Sequence, residues 1–294
     1  SAQRRTFGAH TPSRPHLPRR TYGMGPHSAQ RRTFGGDCAQ RRTFEAPGGG
    51  TDRDGGLGED MLDDRVAQLA GEQFNRISRL QLEALGMGPS AVKHRVASGR
   101  LVIVEHGVLA VAPVLEHDRW GCWMGATLTQ KGSALSHVAA TVARGALSYE
   151  DPLIAITRPG DGGPRRYGGV LVHHSVLRDG DVNEIEGIPI TTVPRTLVDI
   201  AGRVSDPALA RAVRESVRLG DVTLHELGDA LGRYRGRRGV RALGDAVARY
   251  SGLPVHRAKS GAEIRALEVL RDVSRPMPRL NVRVAGEEAD LSWP

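Results

Sequence analysis

Ser90, Lys93, His94 and Arg95 crowd into about two turns of what the spacing predicts is a short helix. Hydroxyl and imidazole groups can bond base edges in a major groove, while lysine and arginine meet phosphate oxygens. At about 100° per residue, Val92 and Val96 turn to one side, Ser90, His94 and Ala97 to the other, and Lys93 and Arg95 lie on the flanks. Arg100 and His106 follow close behind, so these six residues are the candidate contacts to double-stranded DNA. With one lysine and one arginine on that helix, a plain helical hairpin with a solvated face is the competing reading.

The surrounding elements are those that would present such a helix. Ser78 suits the N-cap of a helix carrying Leu80, Leu82 and Leu85, which stops at Gly86. Gly88-Pro89 restarts the chain, because proline costs nothing at a first helical position, and the second helix runs to about Ser98 before Gly99. Two β-branched runs, residues 101–104 and 108–111, are joined across Glu105-His106-Gly107 as a hairpin. An earlier stripe, Met61, Leu62, Val66, Leu69 and Ala70, predicts a helix beginning near Glu59. Helix, helix, helix, hairpin is the order of a winged helix-turn-helix.

Beyond Pro113 the expected elements are a helix over 117–129, a helix over 137–144 capped by Ser136, and strands at 153–157 and 170–174. The loop PGDGGPRRYGG between those strands lacks the Lys-Ser/Thr of a P-loop and reads as a solvated hairpin connection. His137, beside a capping serine and without a nucleophile motif, reads as a hydrogen-bonded structural histidine. His173 and His174 alternate across a strand, so they cannot both face one metal. Two short strands flank Gly187, and Thr192 caps a helix with Pro194 in its first turn. Helices are expected at 207–219, 224–234 and 240–250, with the arginine-rich run RYRGRRGVR between the last two as a solvated turn. Ser260 caps a helix, and 280–284 with 289–293 forms a hairpin.

At 294 residues the chain is long enough for two or three modules. Its net charge is +8, yet residues 1–50 hold nine arginines against Asp37 and Glu45, so seven of those eight charges lie there. Local patches, not the global charge, must then carry any nucleic-acid argument. AQRRTF recurs at Ala2, Ala29 and Ala39 among glycines and prolines, with almost no aliphatic residues, so the leader is expected to be disordered. No apolar stretch follows its Arg-Arg pairs, which removes an export signal and leaves a basic arm or an unselected leader. Cys38 and Cys122 form no disulfide framework or C-x-x-C site and fit a reducing cytoplasm, and no apolar run is long enough to span a membrane. The expected division is a leader and linker (1–58), a DNA-binding module (59–115), a middle α/β domain (116–255) and a C-terminal segment (256–294).

Three segments carry a resemblance: GMGPSAVKHRVASGRLVIVEHGVLAV, ALSHVAA and IEGIPITTVPRTLVDIAG. In this order they resemble the AbiEi-like antitoxins of type IV toxin-antitoxin systems, over about residues 60–294. The chain departs from that family at Ile103, His106 and Leu109, where arginines and an aromatic residue are usual, which makes its wing less basic. The resemblance implies an α+β protein: a winged helix, a middle α/β domain and the opening of a restriction-endonuclease-like (Vsr-like) domain. It further implies that Glu263 and Asp290 fall at two acids of that nuclease fold. The expected function is a DNA-binding repressor of its own operon, paired functionally with a nucleotidyltransferase-like toxin and not an enzyme. The alternative is a DNA endonuclease, truncated at Pro294 and inactive. No cofactor is expected, Mg²⁺ entering only with a complete nuclease domain.

Overall fold

Ser78 begins a helix for a local reason. Its hydroxyl accepts the Gln81 amide at 3.2 Å while the Gln81 side chain accepts the Ser78 amide at 2.9 Å, which satisfies two amides that a helix start leaves open. The computed structural model describes residues 56–115, 118–148, 152–271, 273, 276–284 and 286–293, so the expected leader lies outside the described residues. With 44% helix and 21% strand, neither class is minor and the fold is α+β.

The chain enters through α1 (Gly56–Gly71) and a short strand β1 (Arg76–Ser78) that periodicity did not reveal. Then come α2 (Arg79–Ala84), α3 (Pro89–Ala97), β2 (Leu101–Glu105) and β3 (Val108–Val111). The three strands form one antiparallel sheet in the order β1-β3-β2, with Ile77 opposite Leu109 and Leu101 opposite Val111. Val66, Ala70, Ile77, Leu82, Met87, Val92, Leu101 and Leu109 are buried together as the core of this part. Gly86 adopts φ +96, a left-handed turn that lets Met87 drop into that core before Gly88 and Pro89 start α3.

A six-stranded mixed sheet follows. Its strands are β4 (Ala134–Leu135), β5 (Ile154–Arg158), β6 (Arg165–Tyr167), β7 (Val170–His174), β8 (Val182–Ile185) and β9 (Ile188–Thr191), in the order β6-β7-β5-β4-β9-β8. The sequence expectation of a simple hairpin between 153–157 and 170–174 is corrected here. β5 and β7 run parallel, Ile156 beside Val172, because residues 165–167 of the glycine-rich loop pair antiparallel with β7 and reverse the chain first. Helices α4 (Arg119–Leu128) and α5 (His137–Ala143) pack on this sheet around Trp123, Met124, Leu135, Ile156 and Ile190.

The remaining layer is helical: α6 (Val193–Ile200), α7 (Asp206–Arg218), α8 (Leu224–Arg233), α9 (Val240–Tyr250) and α10 (Gly261–Arg271), followed by the hairpin β10 (Arg279–Val284) and β11 (Glu287–Ser292). The stripes Leu209/Val213/Val217 and Leu243/Val247/Tyr250 meet Ile264 and Leu267 in its core. One buried polar group joins this layer to the sheet. Arg195, 1% exposed, donates Nε to both Asp199 oxygens at 3.1 and 3.0 Å, Nη1 to Val176 O and Asp181, and Nη2 to the Ser175 hydroxyl. Tyr234 donates its hydroxyl to Asp181, and Arg237 reaches Asp199 and Ser175. Burial disfavours the Arg195 cation, but the Asp199 and Asp181 carboxylates outweigh it and hold the guanidinium charged. The arginine-rich run expected to be a solvated turn therefore sends Tyr234 and Arg237 inward.

Candidate nucleic-acid interface

Helix α3 exposes Ser90, Lys93 and His94, while Val92 and Arg95 are buried beneath them. Its nine residues contain no acid. Among the described residues the side chains of Lys93 and His94 make no hydrogen bond or ion pair, so both are available to a partner. Ser90 sits in the first turn of α3, where amides without intrahelical acceptors and the positive end of the helix dipole favour an anion.

Arg95 is a correction to the sequence expectation. Its side chain is 4% exposed, its Nε donates to Asp63 Oδ1 of α1 at 2.6 Å, and Nη1 lies 3.4 Å from Ala91 O. It locks α3 against α1 and cannot meet phosphate from there. Arg100 is split between the two roles, bonding Asp63 Oδ2 at 3.3 Å while its side chain stays 63% exposed. Arg76 is also internal, donating to Phe74 O at 3.0 Å and to Asp118 at 3.1 Å, which ties β1 to the start of α4. Exposed cations of this part among the described residues include Lys93 on α3, Arg100 just after it and Arg79 at the start of α2 beside the β2–β3 hairpin tip.

His106 is exposed at the hairpin tip, but its ring stacks on Tyr167 at 5.6 Å and 29°. Next to it the Glu105 carboxylate accepts the amides of His106 and Gly169; burial pushes its pKa up against the pull of those bonds. The receiving turn is tight: a Cβ at Gly168, which has φ +56, would lie 2.7 Å, and one at Gly169 2.9 Å, from the Glu105 carboxylate oxygens, so either would push that carboxylate aside. The hairpin tip is therefore seated on the β6–β7 turn, a long-range contact that residue spacing in the loop did not disclose. His106, expected as a wing contact to DNA, stands exposed but with one ring face against Tyr167.

Glu263 and Asp290 do not form a ready metal site. The Glu263 carboxylate accepts from Ser260 Oγ at 2.8 Å, the Lys259 amide at 3.0 Å and Asn281 Nδ2 at 3.1 Å; burial raises its pKa, but these bonds outweigh it and hold the carboxyl below its usual value. It is spent on capping α10 and fixing β10. Asp290 is exposed on β11, and the register that pairs Leu280 with Leu291 and Val282 with Ala289 leaves it across from Asn281. Glu263, held by three hydrogen bonds, and Asp290 supply too few fixed oxygens by themselves for the octahedral shell that Mg²⁺ demands. Among the described residues no group of three His, Cys, Asp or Glu could hold a metal ion.

The histidines of the sheet are placed differently from one another. His137 accepts or donates at Nδ1 to Ser136 Oγ, 2.9 Å away, and Ser136 in turn receives the Thr157 hydroxyl at 2.8 Å. Its ring stacks on that of buried His173 at 3.9 Å, whereas His174 turns outward to Gly163 O. This pairing joins residues that the sequence reading took separately.

Among the described residues no helix is long and apolar enough to cross a membrane. Compared with known proteins, the chain matches no family model and no curated protein.

Proposed function

We propose that the chain is a DNA-binding repressor whose first described elements, residues 59–115, act as a winged helix-turn-helix. The observation that carries this reading is the outer face of α3, where Ser90, Lys93 and His94 stand exposed, acid-free and without internal side-chain partners, with exposed Arg79 at the start of α2 and Arg100 just after α3. Ser90 and His94 would meet base edges, and Lys93, Arg79 and Arg100 phosphates. The family reading of an AbiEi-like antitoxin, paired in the cytoplasm with a nucleotidyltransferase-like toxin, is proposed on the three sequence segments that resemble that family. A nuclease-like C-terminal segment is proposed on the same ground for α10 and the β10–β11 hairpin, without catalytic chemistry.

Fluorescence anisotropy on DNA from upstream of the chain's own gene tests the reading. Lys93→Ala with His94→Ala is expected to weaken binding about tenfold or more and to flatten the salt dependence by about one charge, with folding unchanged. Arg95→Ala is expected to act otherwise, costing about 1–3 kcal/mol of stability by removing the buried partner of Asp63 and leaving it only the exposed Arg100. Undiminished affinity in the Lys93/His94 double variant would remove α3 as the interface.

A further inference from the structure

A second basic site lies away from α3, in a cleft of about 560 Å³ bounded by α7, the end of α9, the first turns of α10 and the segment Gly145–Ser148. Four arginines line it: Arg211 and Arg214 from α7, Arg249 from α9 and Arg265 from α10. Among the described lining residues two carboxylates stand with them, and both are already engaged. Glu215 accepts Arg214 Nε at 2.9 Å and Arg218 Nε at 2.7 Å, and Glu268 accepts Arg249 Nε at 2.6 Å. Burial raises the Glu215 pKa, but the two arginines outweigh it and hold the carboxylate charged.

The arithmetic of donors matters more than the count of charges. Arg214 and Arg249 use only Nε in these pairs, so their Nη groups stay open, while Arg211 and Arg265 make no hydrogen bond or ion pair among the described residues. The Arg214 guanidinium packs over the first residue of α10, with Nη2 3.1 Å from where a Cβ on Gly261 would sit. Planar forks of this kind bind phosphate oxygens bidentately, and among the described lining residues four of them stand around two satisfied carboxylates, a surplus of two positive charges.

We infer that this cleft binds a small ligand carrying a pyrophosphate group, such as a nucleoside diphosphate. Its size suits a small molecule. The arginines converge in one cleft instead of forming the stripe that a polymer backbone with regularly spaced charges requires. Leu147, Pro207 and Ala210 supply an apolar wall for the part of the ligand that carries no charge.

Isothermal titration of the full chain with ADP, and separately with inorganic pyrophosphate, tests the site at about 0.15 M salt. Saturable one-to-one binding is expected. Arg211→Gln with Arg265→Gln should weaken it about tenfold or more without moving the melting temperature of the free protein, since both side chains are exposed and neither makes a hydrogen bond or ion pair among the described residues. Lys93→Ala should leave it unchanged, which separates this site from the DNA reading. Absence of saturable heat at millimolar ligand would overturn the inference, as would equal binding by the double variant. Loss of duplex-DNA affinity in the double variant with ADP binding intact would overturn it too, showing the arginines to be a nucleic-acid track.

Discussion

Arg95 shows what residue-by-residue reading gains and loses. At 100° per residue it lies only about 60° from Val92, so helical geometry alone places it nearer the apolar face than the flank; its charge argued otherwise, and Asp63 on α1 is what lets the charge go inside. No local signal in the sequence pairs positions 63 and 95. The same holds for His137 and His173, which meet only because β7 lies two strands from β4. Burial, the neighbouring His173 and the charges of Arg203, Arg195 and Arg237 hold His137 well below its ordinary value, and burial with Arg203 and His174 takes His173 to about 4. Unfolded histidines take up protons first as pH falls, so the pair's contribution is complete above about 6.5 and is lost toward pH 4. Denaturant melts across that range are expected to show stability falling with acidification, and His173→Phe to flatten the slope; an unchanged slope would show that these rings do not set it.

Elements defined by neighbours in sequence were legible: the Ser78 cap, the Gly88-Pro89 restart, the strands about Gly187 and the helix that starts after Thr192 with Pro194 in its first turn, although the Thr192 hydroxyl makes no capping bond. Elements defined by distant partners were not. β1 is three residues long and exists by pairing with β3, and β6 makes β5 and β7 parallel, which no periodicity reports. The seat of the β2–β3 hairpin belongs to this second kind and can be broken at one atom. Gly168 has φ +56, and a Cβ there would lie 2.7 Å from the Glu105 carboxylate, so Gly168→Ala is expected to cost about 1–3 kcal/mol through its backbone conformation and to push that carboxylate off the turn, loosening the hairpin tip. Faster hydrogen exchange across residues 105–107 would register the displacement, and unchanged protection there would show the seat to be slack.

At the scale of the whole molecule, charge is a poor guide and connectivity a better one. Seven of the eight net charges belong to residues 1–50, outside the described residues, whereas α3 and the arginine cleft depend on which neighbours leave a cation unspent. The contacts of Glu105 and His106 with the β6–β7 turn, and of Arg76 with Asp118, hold the α3-bearing part to the six-stranded sheet at two separated places. Two such attachments make the α3-bearing part and the sheet thermodynamically one body, because neither can open without forfeiting contacts of the other. Scanning calorimetry should then record a single endotherm with equal calorimetric and van't Hoff enthalpies, and two resolved transitions would contradict it. A ligand gripping α3 would under this coupling raise the melting of residues it never touches, so that duplex binding is legible as delayed unfolding of the distant sheet.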